Sequence, residues 1–110
     1  MRIYVLTLAI MLCVGTAHAD GNWPAWRGPT ADGRSDAKEL PVRWSETENI
    51  VWKTAIHDLG HSTPVVWGDQ IWLTTAKEDG AALYAVCVDL NSGGVLRDIE
   101  VFRPENPQAI

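Results

Sequence analysis

Residues 83–98 read LYAVCVDLNSGGVLRD. The Gly pair framed by Asp89 and Ser92 has two readings, a loop that cradles phosphate or a turn between two strands. A phosphate loop places Lys-Ser or Lys-Thr after its last Gly and opens a helix, whose first amides converge on the anion. Here VLRDIEVF (95–102) follows, rich in β-branched and apolar residues, so the segment reads as strand, turn, strand. Asp89 anchors the turn, Ser92 caps it, and Gly93-Gly94 reverses the chain. In the strand ahead of it, Leu83, Ala85 and Cys87 lie on one face and Tyr84, Val86 and Val88 on the other. Both faces are largely apolar. An antiparallel sheet with one wet face would alternate, so this one is expected to be covered on both sides.

The same grammar extends in both directions. PVVWGDQIWLTTA (64–76) holds two apolar runs split by Gly68-Asp69, a two-residue hairpin signal because Gly supplies the positive φ of a tight turn. KEDGA (77–81) turns the chain again. Residues 64–102 therefore read as four short strands in an up-and-down antiparallel meander, a unit only marginally stable alone. Upstream, IVWKTAI (50–56) has strand character, and the loop HDLGHST (57–63) separates it from the meander. It echoes VLRDIEV (95–101) at an offset of 45 residues. Repeats of roughly 40–50 residues are the size of one propeller blade. On that reading 50–56 is an outer strand of a different blade, an N-terminal strand that seals a ring.

Ahead of it, residues 22–49 carry Pro24, Gly28, Pro29, Gly33 and Pro41, too much punctuation for a long element. This is an extended lead-in, expected to be pinned by Trp23, Trp26 and Trp44, with a short helical turn near 36–40 unsupported by any sustained period. The first 19 residues combine Arg2, the apolar stretch 3–14 and Ala17-His18-Ala19, the pattern of a secretory signal peptide cleaved near Ala19. No small residue directly precedes Cys13, so no lipid anchor is expected. Cleavage removes Arg2 from 9 basic residues against 14 acidic ones, leaving 8 − 14 = −6. Such a chain has no electrostatic footprint for nucleic acid or anionic lipid. Cys87 would be the lone remaining thiol, which rules out an internal disulfide and suggests a buried, inert side chain.

Several residues offer chemistry without a supporting constellation. His57 and His61 have a ligand spacing that is meaningful on a helix but not in a Gly-containing loop. Asp58 and His61 could pair as acid and base, but no nucleophile accompanies them; Ser62 and Thr63 more simply begin a strand. Asp69, Asp79 and Asp89 mark turns and are too dispersed for a compact Ca²⁺ loop, and Asp32-Gly33 is another turn. Trp23 and Trp26 read as wedges against the fold, with a sugar-stacking pair as the alternative.

Taken together, NWPAWRGPTADGRS, LPVRWSETENIVWKTAI, HSTPVVWGDQIWLTTA and LYAVCVDLNSGGVL resemble the N-terminus of pyrroloquinoline-quinone-like β-propeller repeat proteins. The most specific pieces are Trp26-Arg27-Gly28-Pro29, Ser62-Thr63-Pro64-Val65-Val66 with Gly68-Asp69, and Asp89-x-x-Ser92-Gly93. In that family an outer hairpin reads about Asp-x-x-Thr-Gly-x-x-x-Trp, and its Trp docks on the neighbouring blade. Trp52 keeps that position in the earlier strand, whereas Arg97 replaces it in the later one.

The resemblance implies an all-β fold, a fragment of a β-propeller of the eight-bladed type. It would comprise one four-stranded antiparallel blade (64–102) and the ring-closing strand 50–56, within a propeller portion 49–103. Residues 20–48 would be the lead-in and 104–110 a truncated linker, the chain being the N-terminal part of a longer protein. The remaining blades are then its first partners, with other envelope proteins further candidates. The expected function is a secreted or periplasmic binding or assembly scaffold, with no catalytic constellation within these residues. The alternative is the start of a quinoprotein alcohol or sugar dehydrogenase, which would use pyrroloquinoline quinone and Ca²⁺ held by residues beyond this sequence. The third is a carbohydrate-binding module.

Overall fold

A computed structural model of the protein describes residues 21–108. The expected signal segment with Cys13, and residues 109–110, lie outside the described residues. Four strands, β1 (Val65–Trp67), β2 (Gln70–Ala76), β3 (Leu83–Asp89) and β4 (Val95–Phe102), form one antiparallel sheet in sequential order. The described residues contain no helix, and so none long and apolar enough to cross a membrane. The chain is thus all-β in its described part, as expected.

Each turn follows from its residues. β1 and β2 pair Trp67 with Gln70, leaving Gly68-Asp69 as the two-residue loop. Gly68 has φ of 57° while Asp69 is not in the left-handed region, the pattern of a type II′ hairpin turn. The second turn is closed by Lys77 N–H donating to Ala82 O (3.0 Å) and by the Asp79 carboxylate accepting from Ala81 N–H (2.9 Å). Short β1 is continued by other means along β2. The Ser62 hydroxyl accepts from Thr74 N–H (2.9 Å) and donates to Thr74 O (3.1 Å), and Leu59 bridges Ala76. Ser62 and Thr63, expected within a strand, thus precede it, and a side chain does the ladder's work. On β1's other edge Trp23 exchanges two backbone hydrogen bonds with Val66 (2.8 and 2.9 Å).

Val86, Cys87 and Val88 are buried, so both faces of β3 are covered at its centre, as its two apolar faces required. β4 is different: all eight of its residues are exposed. Its pairing with β3 shifts between Leu83 and Tyr84 and between Cys87 and Val88, which leaves Val101 and Leu96 as extra residues without a cross-strand partner.

Residues 50–56, expected as a strand, pair with no strand among the described residues. They keep a strand's alternation without its ladder: Trp52, Thr54 and Ile56 are half-buried while Val51, Lys53 and Ala55 are exposed. Their side chains engage the sheet, and their amides face no sheet edge. The lead-in is also pinned less than expected. Trp23 packs, but Trp26 and Trp44 stay 73% and 67% exposed, because no described surface lies over them. No helical turn forms near 36–40.

Candidate functional site

The turn at residues 89–94 is densely bonded. One oxygen of Asp89 accepts from Asn91 N–H (3.1 Å), Ser92 N–H (2.7 Å) and the Ser92 hydroxyl (2.7 Å). These bonds, the Ser92 hydroxyl foremost, hold the Asp89 carboxyl below the ordinary carboxylate range. Gly93 sits at φ of 73° and donates to Asp89 O (2.9 Å), and Gly94 N–H donates to the Ser92 hydroxyl (3.2 Å). Asp69 reaches across from the first hairpin, its carbonyl accepting from Leu90 N–H (2.9 Å) and its carboxylate from Asn91 Nδ2 (3.3 Å).

Trp52 docks on this turn. Its indole lies so close to Gly93 that a Cβ there would sit 2.6–2.8 Å from three ring carbons. Its Nε1 donates to Leu90 O (2.9 Å), and two residues on, the Thr54 hydroxyl donates to Gly93 O (2.5 Å). Glycine is needed here twice, for its backbone conformation and for the space the indole fills. Arg97, at the corresponding place in the echo, stays in the ladder opposite Cys87 and exposed. Burial raises the Cys87 thiol pKa, which the nearby Arg97 only partly offsets. A buried thiol of that kind is inert.

Five residues beyond Trp52, His57 ties the same segment to the sheet. Its Nδ1 lies 2.6 Å from Asp58 Oδ2, its Nε2 3.0 Å from Asp98 Oδ2 on β4, and its ring meets Tyr84 of β3 edge-on at 5.0 Å. The bonds to Asp58 and then Asp98 raise the His57 pKa. Asp58 thus pairs with His57 rather than His61, its left-handed backbone (φ 58°) departing from the extended geometry that would send adjacent side chains to opposite faces. Among the described residues no group of three His, Cys, Asp or Glu side chains gathers to hold a metal. Asp69 and Asp89 spend their carboxylates on turn donors.

The Trp26-Arg27-Gly28-Pro29 stretch forms a second structured loop. Gly28, at φ of 76°, lies beneath the Trp23 indole, where a Cβ would come within 2.7–2.9 Å of ring carbons. Gly28 N–H donates to Ala25 O (2.9 Å) and Gly33 N–H to Arg27 O (2.9 Å), closing the loop on itself. Trp26 points away from this packing, with the Arg27 guanidinium 5.4 Å from its ring centroid. Pro29 instead lines a cleft of about 650 Å³ between this loop and β1, together with Trp23, Asp32, Arg34 and Trp67. Trp67 carried no sequence signal beyond strand character. What places it here is Asn22, whose side-chain oxygen accepts from Gly68 N–H (2.7 Å) across 46 residues.

Compared with protein-family models, curated proteins and solved structures, the chain matches none of them. Its described residues form an all-β unit with one four-stranded antiparallel sheet, onto which an upstream segment is docked through Trp52 and His57.

Proposed function

We propose that this protein is the opening part of a secreted or periplasmic β-propeller of the pyrroloquinoline-quinone-like repeat kind, serving as a binding or assembly scaffold. Residues 64–102 are one blade, and 50–56 belong to the blade beside it. The observation that carries this reading is Trp52 seated on the Gly93 turn with its Nε1 bonded to Leu90 O. An indole from one repeat thus fills the space left by a glycine in the next, as the resemblance implies for neighbouring blades. The exposed apolar side chains of β4, among them Leu96 (52%) and Val101 (56%), supply surface for further blades or partners.

Limited proteolysis and sedimentation of the chain test the proposal. A blade without its neighbours is expected to self-associate or to be cleaved within β4. A monomer that resists protease throughout residues 21–108 would overturn it, because such a unit needs no further blades.

A further inference from the structure

The cleft between the Gly28 loop and β1 is built from parts that suit a particular chemistry. One wall is the indole of Trp67, 66% exposed at the end of a strand. The Trp23 indole, immobilised on Gly28 and by its backbone bridge to Val66, also lines the cleft. One polar group along it is held before any ligand arrives. Asp32 Oδ1 accepts from the Thr30 hydroxyl (2.6 Å) and Arg34 N–H (3.1 Å), which orients the carboxylate. The Arg34 guanidinium stands 3.8 Å from Asp32 Oδ2 with its side chain 88% exposed. Asn22 uses its oxygen on Gly68, leaving its Nδ2 outside that bond.

We propose that this cleft binds a neutral oligosaccharide, with a pyranose ring stacked on Trp67 and its hydroxyls bonded to Asp32 and Arg34. A pyranose presents an apolar C–H face to a flat ring and, at its rim, hydroxyls that both donate and accept. A carboxylate beside a guanidinium answers both roles. Asp32 and Asp36 on the lining, and a chain of formal net charge −5, disfavour an anionic ligand. Arg34, 3.8 Å from Asp32, offsets one of those carboxylates against a cation. The volume falls within the roughly 300–1,000 Å³ of small-ligand sites, and rigid indoles lose little entropy on binding. The site depends on Trp23 and Trp67, not on Trp26, which lies outside the lining, and it stands whether or not residues 64–102 belong to a propeller.

The test is titration of the full chain with cellohexaose, xylohexaose, mannohexaose and chitohexaose, read by calorimetry and tryptophan fluorescence. At least one is expected to saturate with Kd below about 1 mM. Trp67→Ala, Asp32→Asn and Arg34→Ala should each weaken it about tenfold or more, the loss expected for an anchor or a charged hydrogen bond. Trp26→Ala should leave it unchanged. Asp32→Asn and Arg34→Ala alter only loop residues, so they remain informative if Trp67→Ala does not fold. The proposal is overturned if no hexasaccharide saturates up to about 10 mM, or if both loop variants bind like the parent.

Discussion

Gly93 and Trp52 are best understood as one feature. Gly93 lies in the left-handed region, where a Cβ costs about 1–2 kcal/mol, and that Cβ would also collide with the indole. Trp52→Ala should lower stability by about 2–4 kcal/mol, less than the loss of a fully buried Trp because the ring is half-buried. Gly93→Ala should be severe in the parent chain but should cost only the backbone strain in a Trp52→Ala background. Urea unfolding of the two single variants and the double variant measures this. Equal costs in both backgrounds would mean that the indole does not occupy the turn. At Cys87, full burial predicts negligible labelling by iodoacetamide in native conditions and rapid labelling after denaturation.

The segment 50–57 is an element without a ladder, and its attachment at the His57 end depends on pH. The charged and titratable groups facing His57 are Asp58 beside it, Tyr84 on β3 and Asp98 on β4; Glu100, farther along β4, is already bonded to Arg103 at 2.6 and 3.1 Å. A folded-state pKa raised above the ordinary value of about 6.5 means that protonated His57 favours the folded, docked state. That stabilisation is complete below the ordinary value and is lost as pH rises through the raised one. The melting temperature should therefore fall across that window in the parent and stay flat in His57→Gln. For Asp89 the sign is opposite, since its carboxyl is held low: its support is present above the ordinary carboxylate range and lost as pH falls through the lowered value. The strand character of 50–56 was legible in the sequence because it is local, whereas the contact of His57 with Asp98 spans 41 residues and left no trace there.

At the scale of the whole molecule, the balance between covered and uncovered sheet is decisive. The described residues bury only Ala82, Val86, Cys87 and Val88 among apolar side chains, while β4 and the indoles of Trp26, Trp44 and Trp67 remain exposed. Such surface is satisfied by association, whether with further blades or with copies of the chain. Leu96→Lys with Val101→Lys, at the two bulged positions of β4, should reduce self-association in sedimentation velocity without loss of far-ultraviolet β signal. Unchanged association would place the contact elsewhere.

The sequence alone determined what depends on neighbouring residues. Gly68, Gly80 and Gly93 dictate where the chain reverses, Asp89 and Ser92 dictate how its last turn is bonded, and the two apolar faces of β3 demand cover. These are short-range steric and hydrogen-bonding constraints, and a handful of adjacent residues carries each of them. Only the tertiary structure decided what provides that cover and what stays bare. Trp52 lands on a glycine 41 positions away, and Trp67 joins Asp32 and Arg34 at a cleft through the Asn22 bond to Gly68. No local rule selects among six tryptophans which will pack and which will face water; that choice belongs to the surfaces the rest of the chain brings to them.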